Sequence, residues 1–535
     1  MTQPMITQDF YLVAAGKPMA PGGAAEVGNK AWNLMQMAQI GLPVPPAFVL
    51  PTSLCAKLSA GQDLPLDGLI GRGLRDVEML SKKSFGGLRR PLLLSVRSGA
   101  AASMPGMMET VLNVGMNDDS VGAMLRASGD PALAWDCYRR LILSYGGVVA
   151  GLPDEAFAEV TARLLERHRA KDLTALSFEG LRDLVRALLA CYGEEAGEAF
   201  PQDVQEQLRQ AVKAVFASWN GEKAKTYRRL HGLDDLAGTA VTVQAMVFGN
   251  MGGFSGSGVG FTRDPSDGGD RLYLDFLFNG QGEDIVAGRH RIGQSQRLAA
   301  MMPEVWRQLQ EVRRQLEQHF GDAQDFEFTV EEGRLWLLQT RRAKRTPWAA
   351  LQIALDLCDQ GVIGRDAALA ALADLDLAAI ERRRLANPEL VRRLGSAVVA
   401  SLGVASGCAA FDVETARQLA AEGMPVILIR RDTTTDDIEA MTLAEGILTA
   451  AGGRTSHAAV VARQLNKVCL VSCAALEIDP GGEGGRIGAQ IIRPKDWLTL
   501  DGNDGTIYAD RAQFVIERPE AALTRLNALR LKAAG

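Results

Sequence analysis

The hydrophobic pattern changes several times along this chain of 535 residues, and those changes limit the folds that it can adopt. Short apolar runs such as YLVAA, PPAFVLP and PLLLSVRS predict strands before residue 115, with a helix at NKAWNLMQMAQIGL. From about 119 to 235 the sequence becomes poor in Gly and rich in Leu, Ala, Arg and Glu, which predicts helices. Since such a length exceeds one hydrophobic core, we expect about three or four domains.

Strand patterns return in TAVTVQAMVF, SGVGFTRDP and RLYLDFLFNG, and FEFTV with RLWLLQT across a Glu-Gly turn predicts a β-hairpin. The predicted fold class is α/β and α+β multidomain. We expect a first domain over 1–345 with a helical subdomain at about 119–235, then a helical connector over 346–395 that ends in ERRRLANPELVRRL. Alternating β and α patterns predict another domain over 396–515, followed by a C-terminal helix over 516–535.

Composition excludes several classes of function. The formal net charge is -6, from 58 Lys+Arg against 64 Asp+Glu, which argues against binding nucleic acid or an acidic membrane along the whole chain. The seven cysteines form no CxxC pair, and the N-terminus lacks the pattern of a secretory signal. We therefore expect a cytoplasmic protein without a disulfide framework, a membrane partner or a nucleic-acid partner.

His457 is the histidine that most needs explaining, because it follows a Gly-Gly turn at the start of a small-residue helix in AGGRTSHAAVVAR. A helix N-terminus stabilises a phosphate and disfavours imidazolium, so a neutral, nucleophilic His457 is expected. Gly452 and Gly453 leave room for a bulky donor, and Thr455 or Ser456 could cap the helix or bond phosphoryl oxygens. Taken alone, a capped turn with an incidental histidine is the commoner interpretation.

The surrounding stretch GILTAAGGRTSHAAVVARQLNKVCLVSC resembles the phosphohistidine domain of the phosphoenolpyruvate-utilising enzymes, and most closely that of the pyruvate, phosphate dikinase family. PVILIRRDTTTDDIEAM before it and LTLDGNDGTIYAD after it are similar to the same domain. The resemblance implies a swivelling β/α domain in which His457 is phosphorylated. It also implies that Thr455 supports the phosphoryl group beside the turn of Gly452 and Gly453.

Two basic residues are candidates for binding phosphate in the first domain. Arg97 ends an apolar strand before a Gly/Ser/Met loop, and its planar guanidinium suits phosphate oxygens. Lys30 lies between a Gly turn and a helix in EVGNKAWNL. For Arg97 an ordinary surface arginine is about as good an explanation, and for Lys30 a solvated lysine is the commoner one.

A glycine-rich loop and the predicted hairpin are candidates for nucleotide and metal binding. The loop GNMGGFSGSGVGFTRDPSDGG could cover phosphates with its backbone N–H groups, although it is not a Walker loop. In the hairpin, Asp325, Glu327 and Gln339 could project from adjacent strands as oxygen ligands that suit Mg²⁺. Each carboxylate could instead be a solvent-facing strand residue.

These segments together resemble the ATP-grasp nucleotide-binding domain of the pyruvate, phosphate dikinase family, here with a helical insertion. The matching stretches are SVRSGAAASMPGMMETVLNVG, VQAMVFGNMGGFSGSGVGFTRDP, NGQGEDIVAG and FEFTVEEGRLWLLQTRRAKRT. The resemblance implies that ATP is bound by Lys30, Arg97, Asp325, Glu327, Gln339 and Arg341, and that Glu327 and Gln339 hold Mg²⁺.

The chain departs from the family in two places. Gly253-Phe254 stands where the family usually has Asp-Thr, so a polar contact to the transferring phosphates is expected to be lost and the use of inorganic phosphate is in doubt. The family's (β/α)₈ barrel, which binds phosphoenolpyruvate or pyruvate, has no counterpart pattern among these residues. We therefore do not expect these residues alone to convert pyruvate.

The leading functional hypothesis is an AMP-forming phosphotransferase that phosphorylates His457 from ATP with Mg²⁺. The expected partners are ATP, inorganic phosphate as one candidate acceptor of the γ-phosphate, and a separate barrel-like acceptor-binding protein, with a homodimer as a further candidate. A nucleotide-responsive regulator that keeps the fold is an alternative of another class. A fragment of a longer dikinase is a third.

Overall fold

A computed structural model of the chain describes residues 9–102, 104, 108–282, 295–453, 456–479 and 481–531. The chain divides into two compact units. Unit 1 comprises Met1–Met251 with Trp336–Gln339, and unit 2 comprises Gly252–Leu335 with Thr340–Gly535. Across the described residues, no helix combines the length and the apolar character needed to cross a lipid bilayer.

Unit 1 is built on a mixed-length antiparallel sheet whose strands run in the order β1-β2-β7-β5-β6. The short strands β3 and β4 pair separately. The strands predicted from YLVAA, PPAFVLP, PLLLSVRS and TAVTVQAMVF are confirmed, whereas none of these runs predicts β3 or β6. Their bounds are β1 Tyr11–Val13, β2 Ala47–Leu50, β3 Ser84–Phe85, β4 Pro91–Leu92, β5 Leu94–Gly99, β6 Thr110–Val114 and β7 Ala240–Ala245.

Helices cover this sheet and fill the segment between β6 and β7, as the Gly-poor pattern predicts. Several begin at a side-chain cap, including the capping box at Asn117 and the caps Asp130, Ser177 and Asp203. The bounds are α1 Ala24–Gln39, α2 Thr52–Ser59, α3 Leu66–Ser81, α4 Asp118–Ser128, α5 Pro131–Val148, α6 Asp154–Arg167, α7 Phe178–Ala196, α8 Val204–Ala217 and α9 Glu222–Leu230, with 3₁₀ turns at Leu173–Ala175 and Ser218–Asn220.

Unit 2 begins with a second sheet, in the strand order β11-β10-β8-β9. The predicted hairpin is confirmed, and its turn uses Glu332 (φ 50) and Gly333 (φ 78) in the left-handed region. Phe328 and Phe326 of β10 are buried and cover Gly258 and Gly260 of β8. The elements are β8 Gly256–Phe261, β9 Tyr273–Phe278, α10 Ser295–Met301, α11 Pro303–Phe320, β10 Gln324–Glu331 and β11 Arg334–Arg342.

The segment after β11 is only partly the helical connector that the sequence predicts. Helices α12 Pro347–Asp359 and α13 Arg365–Ala371 are followed by strand β12 Arg382–Leu385, so the expectation of helix through the run ERRRL is wrong. Strand β12 instead pairs antiparallel with β24 Phe514–Glu517, and Arg382 Nε donates to Glu517 Oε2 at 2.9 Å. Cross-strand pairing with an acidic partner explains why an arginine-rich run is extended here.

The last part of unit 2 contains an eight-stranded sheet in the order β13-β23-β22-β15-β16-β17-β18-β14. Strands β15 to β18 are parallel neighbours, and the flanking strands are antiparallel. The bounds are β13 Arg393–Ser396, β14 Val398–Ser401, β15 Val404–Ala410, β16 Val426–Arg430, β17 Gly446–Thr449, β18 Val468–Val471, β22 Trp497–Asp501 and β23 Thr506–Ala509. A small sheet is formed by β19 Leu476–Ile478, β20 Gly485–Ile487 and β21 Gln490–Ile492.

Helices cover one face of the eight-stranded sheet: α14 Val413–Ala421, α15 Ile438–Leu443 and α16 His457–Gln464, followed at the C-terminus by α17 Glu520–Leu531. Short 3₁₀ turns lie at Leu377–Ala379, Pro388–Leu390 and Thr435–Asp437. In α16, Ala458, Ala459 and Ala462 are fully buried, so a run of small residues lets this helix lie close to the sheet. The predicted alternation of strands and helices is confirmed for this part of the chain.

Candidate functional site

His457 is the first residue of α16. Ser456 is the N-cap, in an extended conformation, and its side chain accepts a hydrogen bond from Ala459 N at 3.5 Å. Gly452 has φ 88, and a Cβ there would lie 3.1 Å from Ser456 Oγ, so glycine is required in this turn. Gly453 lies beside it and accepts a hydrogen bond from Ser456 N at 3.0 Å. The remaining predicted residue of this group, Thr455, lies outside the described residues.

A second loop meets His457 because of the sheet topology. Strands β16 and β17 are parallel neighbours, so the loops that follow them lie at the same edge of the sheet. The loop after β16 contains Thr433, whose Oγ1 lies 3.3 Å from His457 Nδ1. The described residues provide no hydrogen-bond partner for His457 Nε2. This arrangement fixes one ring nitrogen and leaves the other available.

Burial favours the neutral form of the His457 imidazole. Burial lowers the pKa of half-buried His457, although the nearby carboxylates of Asp432 and Asp437 oppose this effect. Burial likewise raises the pKa of Asp432, partly offset by a backbone hydrogen bond from Thr433 and by the charge of His457. A neutral histidine is also what the sequence predicts from its place at a helix start. The geometry therefore supports a nucleophilic nitrogen at neutral pH.

The loop that carries Thr433 is itself fixed by ionic and hydrogen-bonding contacts. Arg430 at the end of β16 forms an ion pair with buried Asp437, with an N–O distance of 3.1 Å. Asp437 Oδ2 also accepts a hydrogen bond from Thr434 N at 2.8 Å. The stretch PVILIRRDTTTDDIEAM resembles the family's domain as a whole, but no residue in it is a site candidate from the sequence alone. The available signal was its position directly after the strand that neighbours the histidine's own strand.

The β10 strand brings two of the predicted nucleotide-site carboxylates onto one face of its sheet, because Asp325 and Glu327 are two residues apart. Arg341 Nε donates to both oxygens of Asp325, at 2.9 and 2.7 Å. Burial raises the pKa of Asp325 to about 6, and the charge of Arg341 partly offsets the increase. Asp325 is thus a buried ion-pair partner of Arg341, while Glu327 is half-buried.

The donor set on β10 fits a magnesium ion that shares its coordination with a substrate. Among the residues that the structure describes, no group of three or more His, Cys, Asp or Glu could hold a metal by itself. Mg²⁺ in phosphate-handling sites typically takes one or two carboxylates and completes its shell with water and phosphate oxygens. Glu327 meets that requirement, and the amide oxygen of Gln339 on β11 is a chemically suitable second donor.

The glycine-rich loop before β8 carries an unusual exposed side chain. Phe254 is 60% exposed. A Cβ placed on Gly253 would meet no atom within 4 Å, so the loop has free space at this point. The loop is held by hydrogen bonds from Gly333 N to Phe254 O at 2.8 Å and from Gly252 N to Asn279 Oδ1 at 3.0 Å. Most of the matching stretch NGQGEDIVAG, from residue 283 onward, lies outside the described residues.

In unit 1, the elements that carry Lys30 and Arg97 meet at two glycines. Gly28 interrupts α1 with φ 76, and a Cβ there would lie 2.1 Å from Gly99 O at the end of β5. Asn29 N donates to Ala100 O at 2.9 Å, just beyond β5. Lys30 therefore begins the helical part of α1 beside the end of the strand that carries Arg97. The ten predicted residues are distributed over both units, with Lys30, Arg97 and Gln339 in unit 1.

Two protein-family profiles match separate parts of the chain. A family profile described as "Pyruvate phosphate dikinase, AMP/ATP-binding domain" matches residues 70–298 and 292–359. A second profile, described as "PEP-utilising enzyme, mobile domain", matches residues 423–505 and so includes His457. The histidine helix and the loop after β16 both lie within this second match.

Several similar curated proteins are named pyruvate, phosphate dikinase. The chain is 42% identical over 534 residues to the pyruvate, phosphate dikinase of Rhizobium meliloti (strain 1021), covering 95% of this chain and 58% of the relative. It is 41% identical over 489 residues to that of Clostridium symbiosum, covering 90% of this chain and 56% of the relative. It is 42% identical over 486 residues to pyruvate, phosphate dikinase 2 of Zea mays, covering 90% and 55%.

The chain therefore spans somewhat more than half the length of the curated relatives that it matches. The identity extends over nearly all of the chain. The AMP/ATP-binding profile matches first along the chain, and the mobile-domain profile follows it. Together these matches show that the chain belongs to the pyruvate, phosphate dikinase family.

Proposed function

We propose that this chain is an ATP-dependent phosphotransferase that phosphorylates its own His457 and passes the phosphoryl group to an acceptor bound by another protein or domain. The observation that carries the proposal is the setting of His457, a neutral imidazole at a helix start with Nδ1 beside Thr433 Oγ1. If Nδ1 keeps its proton and donates it to Thr433, Nε2 bears the lone pair. Nε2 is then the nucleophile.

In the proposed reaction, His457 Nε2 forms a bond to the β-phosphorus of ATP, and the bond from that phosphorus to the α-phosphate oxygen breaks, releasing AMP. The γ-phosphate is transferred to water, or to inorganic phosphate to give pyrophosphate. Phosphoryl transfer depends mainly on positioning and on charge stabilisation. The helix N-terminus beneath His457 stabilises the anionic group once it is attached.

The residues around β10 are proposed to bind the nucleotide. Arg341, held by Asp325, supplies positive charge for a phosphate, and Lys30 and Arg97 supply more. Glu327 and Gln339 would hold Mg²⁺, which neutralises phosphate charge when it is bound. Gly452 and Gly453 would form the turn beside the phosphoryl group on His457, and Thr455 would support that group.

We further propose the domain division that the sequence predicts. An ATP-grasp nucleotide-binding domain would span 1–345, with a helical subdomain at about 119–235, and a swivelling phosphohistidine domain would span 396–515. The residues over 346–395 would connect the two domains, and the residues over 516–535 would end in a helix. The profile match at 423–505 to a mobile domain supports the swivelling domain proposed over 396–515.

The final acceptor is proposed from the names of the relatives. Those proteins are named pyruvate, phosphate dikinases, which makes pyruvate, bound by a separate barrel-like protein or domain, the first acceptor to test. The same names make inorganic phosphate one candidate acceptor for the γ-phosphate, while the exposed Phe254 makes water the acceptor that we expect. Magnesium-dependent labelling without any acceptor would already separate this enzyme from a nucleotide-binding regulator.

The test uses purified protein with Mg²⁺ and ATP labelled at the β-phosphorus. We expect an acid-labile, base-stable label on the wild type and none on His457→Ala, whose fold is checked by thermal melting. The exposed histidine variant His231→Ala is a matched control and should label normally. Equal labelling of wild type and His457→Ala would overturn the proposal.

A further inference from the structure

Arg463 is a charged residue at the buried side of the histidine helix. It lies six residues after His457, in the last turn of α16, and its side chain is only 1% exposed. Arg463 Nη1 donates a hydrogen bond to Ala400 O at 2.9 Å. The pairing of β14 with β18 shifts register between Val399 and Ser401, so Ala400 is a bulge residue whose carbonyl turns away from the ladder.

The same side chain contacts the sheet that carries the proposed nucleotide site. The guanidinium carbon of Arg463 lies 5.3 Å from the centre of the Phe261 ring, at the end of β8. Phe261 is paired with Tyr273 of β9 on one side and with Asp325 of β10 on the other. Arg463 therefore packs over Phe261, which is the cross-strand neighbour of Asp325. Its positive charge is among the influences that lower the pKa of Asp325.

The edge strand of the histidine domain is fixed to the same sheet by separate hydrogen bonds. Tyr273 Oη donates to Val399 O at 3.1 Å, and Ser266 Oγ donates to Ala400 O at 3.1 Å. Ala400 O thus accepts one hydrogen bond from Arg463 of the histidine helix and one from Ser266. Ser266 belongs to the part of unit 2 that contains β8–β11, here called the nucleotide-site lobe. Arg463 connects that helix to the lobe both through this shared carbonyl and through Phe261.

Burying an arginine for packing alone is costly. Desolvation of a guanidinium opposes burial, and it lowers the pKa of Arg463. A Met or Leu would fill a similar volume beside Phe261 without that cost. The planar guanidinium, in contrast, can stack on the ring and donate to Ala400 O at the same time, which sets both the distance and the angle of α16.

We propose that Arg463 is a positioning residue that sets the orientation of α16, and hence of His457, relative to the sheet carrying Asp325 when the phosphoryl group is transferred from ATP. This inference rests on the proposed phosphorylation of His457. An α-helix rises about 1.5 Å per residue, so Arg463 and His457 are roughly 9 Å apart along the helix axis. A small tilt at Arg463 therefore displaces the nucleophilic nitrogen at the other end.

The test compares two ways of phosphorylating the same nitrogen. ATP labels His457 only if the histidine domain meets the nucleotide lobe in the correct orientation. Phosphoramidate is a small donor that phosphorylates imidazole directly and releases ammonia, so it does not require that orientation. The variants are Arg463→Met, which removes the guanidinium, and Arg463→Lys, which keeps the charge. The control is Arg486→Met, an arginine that is exposed on the same domain.

For Arg463→Met we expect the single-turnover rate of labelling by ATP to fall roughly tenfold to a hundredfold, as misplacement of a reacting group does. Labelling by phosphoramidate should stay within about twofold of wild type, since burial of the imidazole itself is preserved. The ATP concentration at half-maximal rate should be unchanged, because the Arg463 side chain is buried and presents almost no surface to a ligand. Arg463→Lys should label from ATP at a rate between those of Arg463→Met and wild type. The control Arg486→Met should label at the wild-type rate.

Other results would overturn the inference. Equal ATP rates for wild type and Arg463→Met would show that orientation does not depend on this side chain. A parallel loss of both labelling reactions would show that Arg463 only stabilises the domain. If Arg463→Met does not fold, the same two comparisons apply to Arg463→Lys. If the wild type accepts phosphoramidate but not ATP, the proposed function itself fails and this inference falls with it.

Discussion

Thr433 Oγ1 lies 3.3 Å from His457 Nδ1, although the two residues are 24 positions apart and follow different strands. The contact depends on β16 and β17 being parallel neighbours, which brings the ends of both strands to one edge of the sheet. A hydroxyl can donate to Nδ1 or accept from it, and the proposed function requires that Nδ1 keeps its proton and donates it to Thr433. The other nitrogen, Nε2, is then the one that can react.

Replacing Thr433 by Val should therefore slow the phosphorylation of His457. Valine keeps the volume and branching of threonine but removes the hydroxyl, so both ring tautomers and more ring orientations become accessible. We expect a decrease of roughly tenfold in the single-turnover labelling rate, about 1.4 kcal/mol. The control is Thr442→Val, an exposed threonine whose hydroxyl donates only to Ile438 O within its own helix. Equal rates for the two variants would contradict the tautomer argument.

The pH dependence of labelling should report the surroundings of His457. Burial lowers the pKa of His457, so the neutral, reactive form persists below the ordinary histidine value and the rate should fall only at more acidic pH. The carboxylate of Asp432 opposes this by favouring the imidazolium. Asp432→Asn should thus move the acid limb of the rate profile to lower pH. A shift to higher pH would show that Asp432 does not act through its charge.

Much of the fold follows from the sequence because its patterns are local. The strands of both sheets, the helices between β6 and β7, and the hairpin of β10 and β11 each have the periodicity of their class. The strand at Arg382–Leu385 does not, because three consecutive arginines suit a strand only when an acidic residue such as Glu517 lies opposite. That pairing joins residues 135 positions apart, and no local pattern contains it.

Some residues of the candidate site can likewise be recognised from local sequence, and others cannot. His457 and the glycine turn are recognisable from the sequence because turn, cap and helix are contiguous. Thr433 and Arg463 are not, because their roles depend on strand order and on contacts with Phe261 and Ala400. Asp325 is recognisable as a carboxylate on a strand, but its burial and its ion pair with Arg341 are properties of the folded hairpin.

Glu327 should be required for the chemistry and not for the fold. Its half-buried carboxylate lies on the same face of β10 as Asp325, and its loss would remove a proposed magnesium ligand. Glu327→Ala should reduce His457 labelling by about a hundredfold or more, while thermal stability without nucleotide changes by about 0.5 kcal/mol or less. The control is Glu311→Ala, in a surface ion pair of α11. Near-normal labelling by Glu327→Ala, or loss of its fold, would show that the residue is structural.

Protonation of Asp325 should weaken ATP binding at acidic pH. Its pKa is raised to about 6, so the carboxylate is ionised and holds Arg341 above that pH, and becomes neutral and releases Arg341 below it. We expect ATP affinity to decrease as pH falls through about 6, and Asp325→Asn to be weak at every pH and to lack this step. Calorimetric titration with ATP measures this directly and does not involve His457. An unchanged step in Asp325→Asn would assign it to another group.

The fate of the γ-phosphate should depend on the loop at Gly253 and Phe254. This loop presents an exposed phenyl ring where a hydroxyl and a carboxylate would bind a protonated phosphate, so we expect the wild type to transfer the γ-phosphate to water. The double variant Gly253→Asp/Phe254→Thr is sterically permitted, because a Cβ on Gly253 meets no atom within 4 Å. With ATP labelled at the γ-phosphorus and added inorganic phosphate, wild type should release labelled orthophosphate, and the variant labelled pyrophosphate. Labelled pyrophosphate from the wild type would show that Phe254 does not prevent the use of inorganic phosphate.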